Sequence, residues 1–193
     1  MPWEKQFDPN EMLDRAMQTF WEHGYEATSV QDLLDCTGLN RGSLYATYTD
    51  KRTLFLAALR MYDEKMRRKP LAELESHCPP REAILKLFLA FTSKVSDGEA
   101  ARGCFLTNTA LELAAHDPEV ARIVAHSQEE IEAFFARMIR KGISSGEIAG
   151  RVRPKEAARG LLASLIGVIV LTRSRPDSAL LKHVVEEAMH RLD

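Results

Sequence analysis

The stretch TSVQDLLDCTGLNRGSLYATYTDK, residues 28 to 51, constrains the fold more than any other part of this chain. Thr28 is an N-cap residue with Gln31 three positions on, the spacing of a capping box. Val30, Leu33 and Leu34 repeat at helical spacing on one face. Gly38 follows the last periodic residue and can take the left-handed conformation that ends a helix. Leu39 folds back under the turn, and Asn40 offers a second N-cap. Arg41 to Tyr48 makes a helix of about two turns, with Leu44, Tyr45 and Tyr48 as its apolar or aromatic positions. So short a helix is unstable alone, because nucleation costs more than its few hydrogen bonds return. Neighbours must hold it by one face and leave the other free. The free face carries Arg41, Gly42, Ser43, Ala46 and Thr47, on a rod thin enough for a major groove. Helix, glycine turn and short second helix form the helix-turn-helix pattern of DNA readers.

The chain's 193 residues suffice for one sizeable domain or two small ones. A net charge of −2 argues against a histone-like coat but not against a specific reader, whose positive charge need line only one face. Cys36, Cys78 and Cys104 are odd in number and far apart, which suggests neither a disulfide framework nor a zinc site. The longest apolar run, Leu161 to Leu171, is broken by Ser164 and Gly167 and falls short of the ~18–20 residues of a membrane span. No basic-then-apolar leader opens the sequence, so a cytoplasmic protein with no membrane partner is expected. The six histidines show no metal-ligand spacing, and no nucleophile elbow or phosphate-cradling loop is present. The expectation is no enzyme, no cofactor and no metal.

Taken in order, the pattern predicts an all-α protein of about nine helices. Asp8-Pro9-Asn10-Glu11 opens the first, with Leu13, Ala16, Met17, Phe20 and Trp21 on its inner face and Gly24 at its end. A long helix opens at Asp50 and should stop before Pro70. Its basic last turn, Lys65 to Lys69, reads as a solvated end or a DNA backbone contact. His77 to Pro80 breaks the chain. Further helices should run from Pro80 to Val95, Cys104 to Ala115, Pro118 to Ser144, Pro154 to Arg173 and Pro176 to Leu192, with a polar loop at Ser96 to Gly103. No stretch alternates with period two, so no strands are expected.

Gly24-Tyr25, Thr28-Ser29-Val30, Thr37-Gly38-Leu39, Gly42-Ser43-Leu44-Tyr45, Tyr48 and Asp50-Lys51, in that order between two amphipathic helices, resemble the TetR/AcrR family of bacterial transcriptional regulators. The match covers roughly residues 8 to 62. Beyond it, the resemblance rests on helix count, length and the segment GCFLTNTALELAAHDPEV. This chain has Tyr48 where phenylalanine is commoner, and Ala46 and Thr47 where bulkier or basic side chains often sit. The resemblance implies an N-terminal three-helix helix-turn-helix domain over residues 5–65, with the motif at about 29–48. A ligand-binding and dimerisation domain would occupy 66–193. It implies a homodimer on a palindromic double-stranded operator, released by a small-molecule effector, with repression as output.

Individual roles follow. Arg41 can read guanine O6 and N7, or touch only phosphate or solvent. Gly42 permits close approach, and Ser43 and Thr47 can donate to phosphate or a base edge. In this pattern Tyr45 turns its hydroxyl to a phosphate, with Tyr48 beside it. Lys51 has its own charge and nearby free amides for a phosphate. Thr28, Ser29 and Gln31 suit phosphate too, although capping alone explains Thr28 and Gln31. Phe88, Phe91, Phe105, Asn108, Phe134, Phe135 and Met138 are candidate pocket lining among the middle helices. Asn108 needs a partner, either ligand or backbone. Cys104 opens its helix near Arg102, a setting that favours thiolate, and in related branches a cysteine here reacts with electrophiles or oxidants; a buried, inert thiol is the other reading and the preferred one. Gly160, Ser164 and Gly167 make a narrow groove of small residues. With Leu171 and, on the last helix, Leu181, Val184, Val185 and Ala188, they are expected to form a four-helix bundle with a second copy.

Overall fold

The computed structural model describes residues 8–96 and 102–193, and every regular element among them is helical. The N-terminal head comprises α1 (Pro9–His23), α2 (Val30–Thr37), α3 (Arg41–Thr47) and α4 (Lys51–Tyr62). The body comprises α5 (Lys69–His77), α6 (Pro80–Ser96), α7 (Phe105–Leu113), α8 (Pro118–Ser145), α9 (Pro154–Ser174) and α10 (Ser178–His190). The all-α class is as expected. Most of the Ser96–Gly103 loop, and residues 5–7 of the expected first domain, lie outside the described residues.

Caps set most boundaries. Asp8 accepts the Asn10 amide at 2.8 Å, ahead of Pro9 at the first helical position. Asp117 caps α8 and Asp177 caps α10. The last helix therefore starts at Ser178 rather than Pro176, because the Asp177 carboxylate takes the Ala179 and Leu180 amides.

The expected stop before Pro70 does not occur. Asp63–Arg68 is π-helical and joins α4 to α5 without a break. The wider turns shift the hydrogen-bond ladder, so Pro70 falls in what is effectively the first turn of a new helix, where a missing amide costs little. The basic turn is not simply solvated either. Arg67 is buried between Asp63 and Glu130, and Arg68 reaches the same two carboxylates.

Two apolar clusters hold the chain together. The first joins Met12, Ala16, Met17 and Phe20 of α1 to Leu33, Leu44 and the inner face of α4, and it includes Phe105, Leu106, Val120 and Val124 from the body. The second packs α6, α8, α9 and α10 around Phe88, Phe134, Phe135, Met138, Leu161, Leu165 and Leu181. The run Leu161 to Leu171 is too short for a span, but the whole of α9, Pro154–Ser174, is long and apolar enough to cross a membrane by length and composition. One such helix carries little weight, and one face of it, Ala158, Leu161, Leu165, Val168 and Ile169, is buried in the body.

Candidate nucleic-acid interface and the cavity behind it

The recognition segment is built from caps and one buried leucine. Gly38 takes φ 71° and ψ 13°, and its amide bonds Leu34 O at 2.9 Å, closing α2. Asn40 Oδ1 accepts the Ser43 amide at 2.8 Å and starts α3. Leu44 alone of α3 is buried, while Arg41, Gly42, Ser43, Tyr45, Ala46 and Thr47 are exposed. Tyr48 follows as a half-buried C-cap. The burial of its ring pushes its hydroxyl pKa above the ordinary range.

The capping box lies one residue later than expected. Ser29 Oγ accepts the Asp32 amide at 3.1 Å, and Asp32 Oδ2 accepts the Ser29 amide at 2.7 Å. Thr28 is fully buried, and its hydroxyl donates to Gly24 O at 2.6 Å, which removes its side chain from the candidate DNA contacts. Gln31 is exposed and spends an amide hydrogen on Asp35. Ser29 remains on the surface. Lys51 Nζ sits 4.3 Å from the centroid of the Tyr25 ring, so its charge is positioned rather than free.

The head is tied to the body by charged contacts that sequence reasoning missed. Arg52 Nε donates to Asp117 Oδ2 at 2.8 Å, and Arg52 and Arg60 both reach Glu119. Glu112 accepts the backbone amides of Tyr25 and Glu26 at 3.1 and 2.8 Å. Arg102 donates to Gln18 at 2.8 Å. These pairs span 59 to 87 residues, and no local pattern announces them.

Behind the head lies a cavity of about 100 Å³ between α5, α6, α7, α8, α9 and the π segment. Leu71, Leu74, Leu87, Phe91, Leu106 and Ile131 are among its apolar lining, with Tyr62, Arg67, Thr107, Ser127 and Gln128 as polar points. Of the expected pocket residues, only Phe91 and Cys104 line it. Phe88, Phe105, Phe134, Phe135 and Met138 are instead fully packed core. Asn108 faces a different, shallow groove, and its amide donates to Arg102 O at 3.0 Å, so backbone is its partner. Cys104 is the uncapped N-cap of α7, with its thiol against the Tyr62 hydroxyl. Burial, and then the neighbouring thiol, raise the Tyr62 pKa well above its ordinary value. The Asp63–Arg67 pair, an acid and a base four residues apart, was the one available signal for this polar side.

Residues 12–58 match the family model for bacterial regulatory proteins of the tetR family, and residues 80–188 match that for the tetracyclin repressor-like C-terminal domain. The chain belongs to the TetR family. The HTH-type transcriptional regulator YezE of Bacillus subtilis is 35% identical over 98% of both chains. The transcriptional repressor ComR of Escherichia coli is 32% identical over 75% of this chain and 69% of its own. Among solved structures, a cysteine-substituted TetR-family regulator, CifR, in complex with 26-bp double-strand operator DNA, covers 100% of both chains at a TM-score of 0.82 and 28% identity. A TetR-family regulator from Cytophaga hutchinsonii, 20% identical over 95% of this chain and 92% of its own, shares the fold at a TM-score of 0.84.

In this TetR-family chain the outer faces of α9 and α10 differ from the expected dimer surface. Leu181, Val185 and Ala188 are buried in the chain's own core. They recur at i, i+4 and i+7, which is the inward stripe. Gly160, Ser164, Gly167, Leu171 and Val184 stay partly accessible. A Cβ at Gly167 would meet nothing within 4 Å.

Proposed function

We propose that the chain is a cytoplasmic, homodimeric repressor that binds a near-palindromic DNA operator through α3 and is released by a small effector in the cavity. The carrying observation is α3 itself, anchored by Leu44 with every other side chain of the helix exposed. Arg41 at its start is the base-reading candidate, and Lys51 and Ser29 flank it as phosphate contacts. On this reading, residues up to about 65 are the DNA-binding domain and the remainder the effector and dimer domain. The operator-bound CifR neighbour supports a DNA partner. Two copies are needed because one face with so few basic residues binds weakly. The outer surface of α9, with Gly160, Ser164 and Gly167, supplies a self-complementary contact.

The effector on this reading is compact, mostly apolar and uncharged. Arg67 is the cationic point of the wall, and Asp63 and Glu130 already neutralise it. We assign no catalytic step, metal or cofactor. A second reading follows from the Cys104 thiol lining the cavity: an effector with an electron-poor C=C bond would be attacked at carbon by the sulfur, forming an S–C bond as the π bond opens, with the thiol proton passing to the neighbouring carbon. Gel-shift titration against promoter DNA at several salt concentrations tests the main reading. Specific, salt-sensitive binding supports it, and no preference among sequences defeats it. Release by electrophiles that survives Cys104→Ser removes the covalent reading.

A further inference from the structure

We propose that Glu112 is a positioning residue for the DNA-binding head, through which α7 carries the state of the cavity to the α1–α2 turn and on to Lys51. The proposal rests on the effector reading above. Glu112 lies in the last turn of α7, and its two oxygens hold the amides of Tyr25 and Glu26 at 3.1 and 2.8 Å. Charge-assisted bonds to two successive amides fix the orientation of a turn as well as its position. The carboxylate lies close against the turn: a Cβ on Gly24 would stand 3.0 Å from Glu112 Oε2. That turn leads directly into the Ser29 cap of α2, and its Tyr25 ring carries Lys51 Nζ at 4.3 Å. One carboxylate therefore sets the start of the helix-turn-helix and the lysine at the start of α4.

The other end of α7 belongs to the cavity. Cys104, Leu106 and Thr107 line it. From Cys104 to Glu112 is about 12 Å along a helix. Between them Phe105 lies edge-on to both Phe55 and Tyr62, with 5.6 Å between centroids in each case, a packed pivot on α4. A short rigid helix held at a pivot moves at both ends together. An occupant that pushes on Leu106 or Thr107 must then strain or shift the Glu112 bonds.

A cavity-filling substitution replaces the unidentified effector in the test. Ile131 is half-buried, lines the cavity and lies on α8, away from the head. The proteins are wild type, E112A and E112D, each with and without I131W. Each is titrated by fluorescence anisotropy against one duplex selected by wild type from a random-sequence library. The expected result is that I131W weakens binding about tenfold or more with Glu112 present, and less than about threefold in the E112A background. E112D, which keeps the carboxylate, restores part of the I131W effect. Equal weakening in both backgrounds overturns the Glu112 proposal and leaves the effector reading standing. No weakening in either background overturns the effector reading itself. Should E112A not fold, E112Q keeps the volume and one acceptor and takes its place in the same cycle.

Discussion

Arg52 of α4 and Asp117, the N-cap of α8, are joined by a two-pronged ion pair: Nε to Oδ2 at 2.8 Å and Nη2 to Oδ1 at 2.9 Å. The same carboxylate accepts the Glu119 and Val120 amides, so one side chain both starts the longest body helix and docks the head. The Arg52 hydrogen bonds come first in holding its pKa at about 2, below the ordinary 3.8. A depressed carboxylate stabilises the fold above its unfolded-state pKa and loses that contribution as the pH falls through its folded-state value. Acid unfolding followed by circular dichroism should therefore show an Asp117-dependent loss between about pH 4 and 2. D117N should flatten that segment, and D117A should lower neutral-pH stability by about 1 kcal/mol through the lost cap alone.

Gly38 is a separate test of the recognition turn. Its φ of 71° lies where a Cβ is strained. G38A should cost roughly 1–2 kcal/mol in urea unfolding and should weaken DNA binding, because α3 is aimed by this turn. A stability unchanged within error would mean that the turn is not left-handed in solution.

Arg41 and Lys51 should separate by the kind of loss they cause. R41A should relax preference at one base-pair position per half-site, at roughly 1–3 kcal/mol. K51A should weaken every duplex alike and lower the salt slope by about one. Binding to a panel of single-position operator variants distinguishes the two, and identical profiles would reduce Arg41 to a phosphate contact.

Gly167 tests assembly. A Cβ there would meet nothing within 4 Å in the chain itself, so G167L should leave monomer stability within about 0.5 kcal/mol. If α9 faces a second copy, the same change should convert dimer to monomer in sedimentation velocity. G142L is the control: a Cβ there would come within 2.6 Å of Ile148, so that variant should lose stability instead.

The sequence made the helix-turn-helix legible because its signals are local. Gly38, Asn40 and the Leu33–Leu44 pattern act within one or two turns of themselves. Where two local solutions competed, only tertiary packing chose between them. Thr28 with Gln31 and Ser29 with Asp32 both fit a capping box, and burial of Thr28 against Gly24 O decided for the second. Pro70 reads as a stop, yet the π segment before it turns it into a helix start. Phe134 and Phe135 were recognisable as buried, but apolarity does not say whether a ring faces a void or another ring, and both rings pack in the core. The Glu112 and Asp117 contacts bridge elements far apart in the chain, and an exposed-looking acid in a sequence carries no mark of its distant partner.

The central claim is that two copies of α3, presented together, read DNA. Footprinting of the purified protein on a duplex selected from random sequence tests it most directly. The account predicts two symmetry-related protected half-sites, about one helical turn or a multiple apart, each losing selectivity at one position in R41A. Protection without sequence preference at any salt, or a single unpaired site bound by one chain, would contradict it.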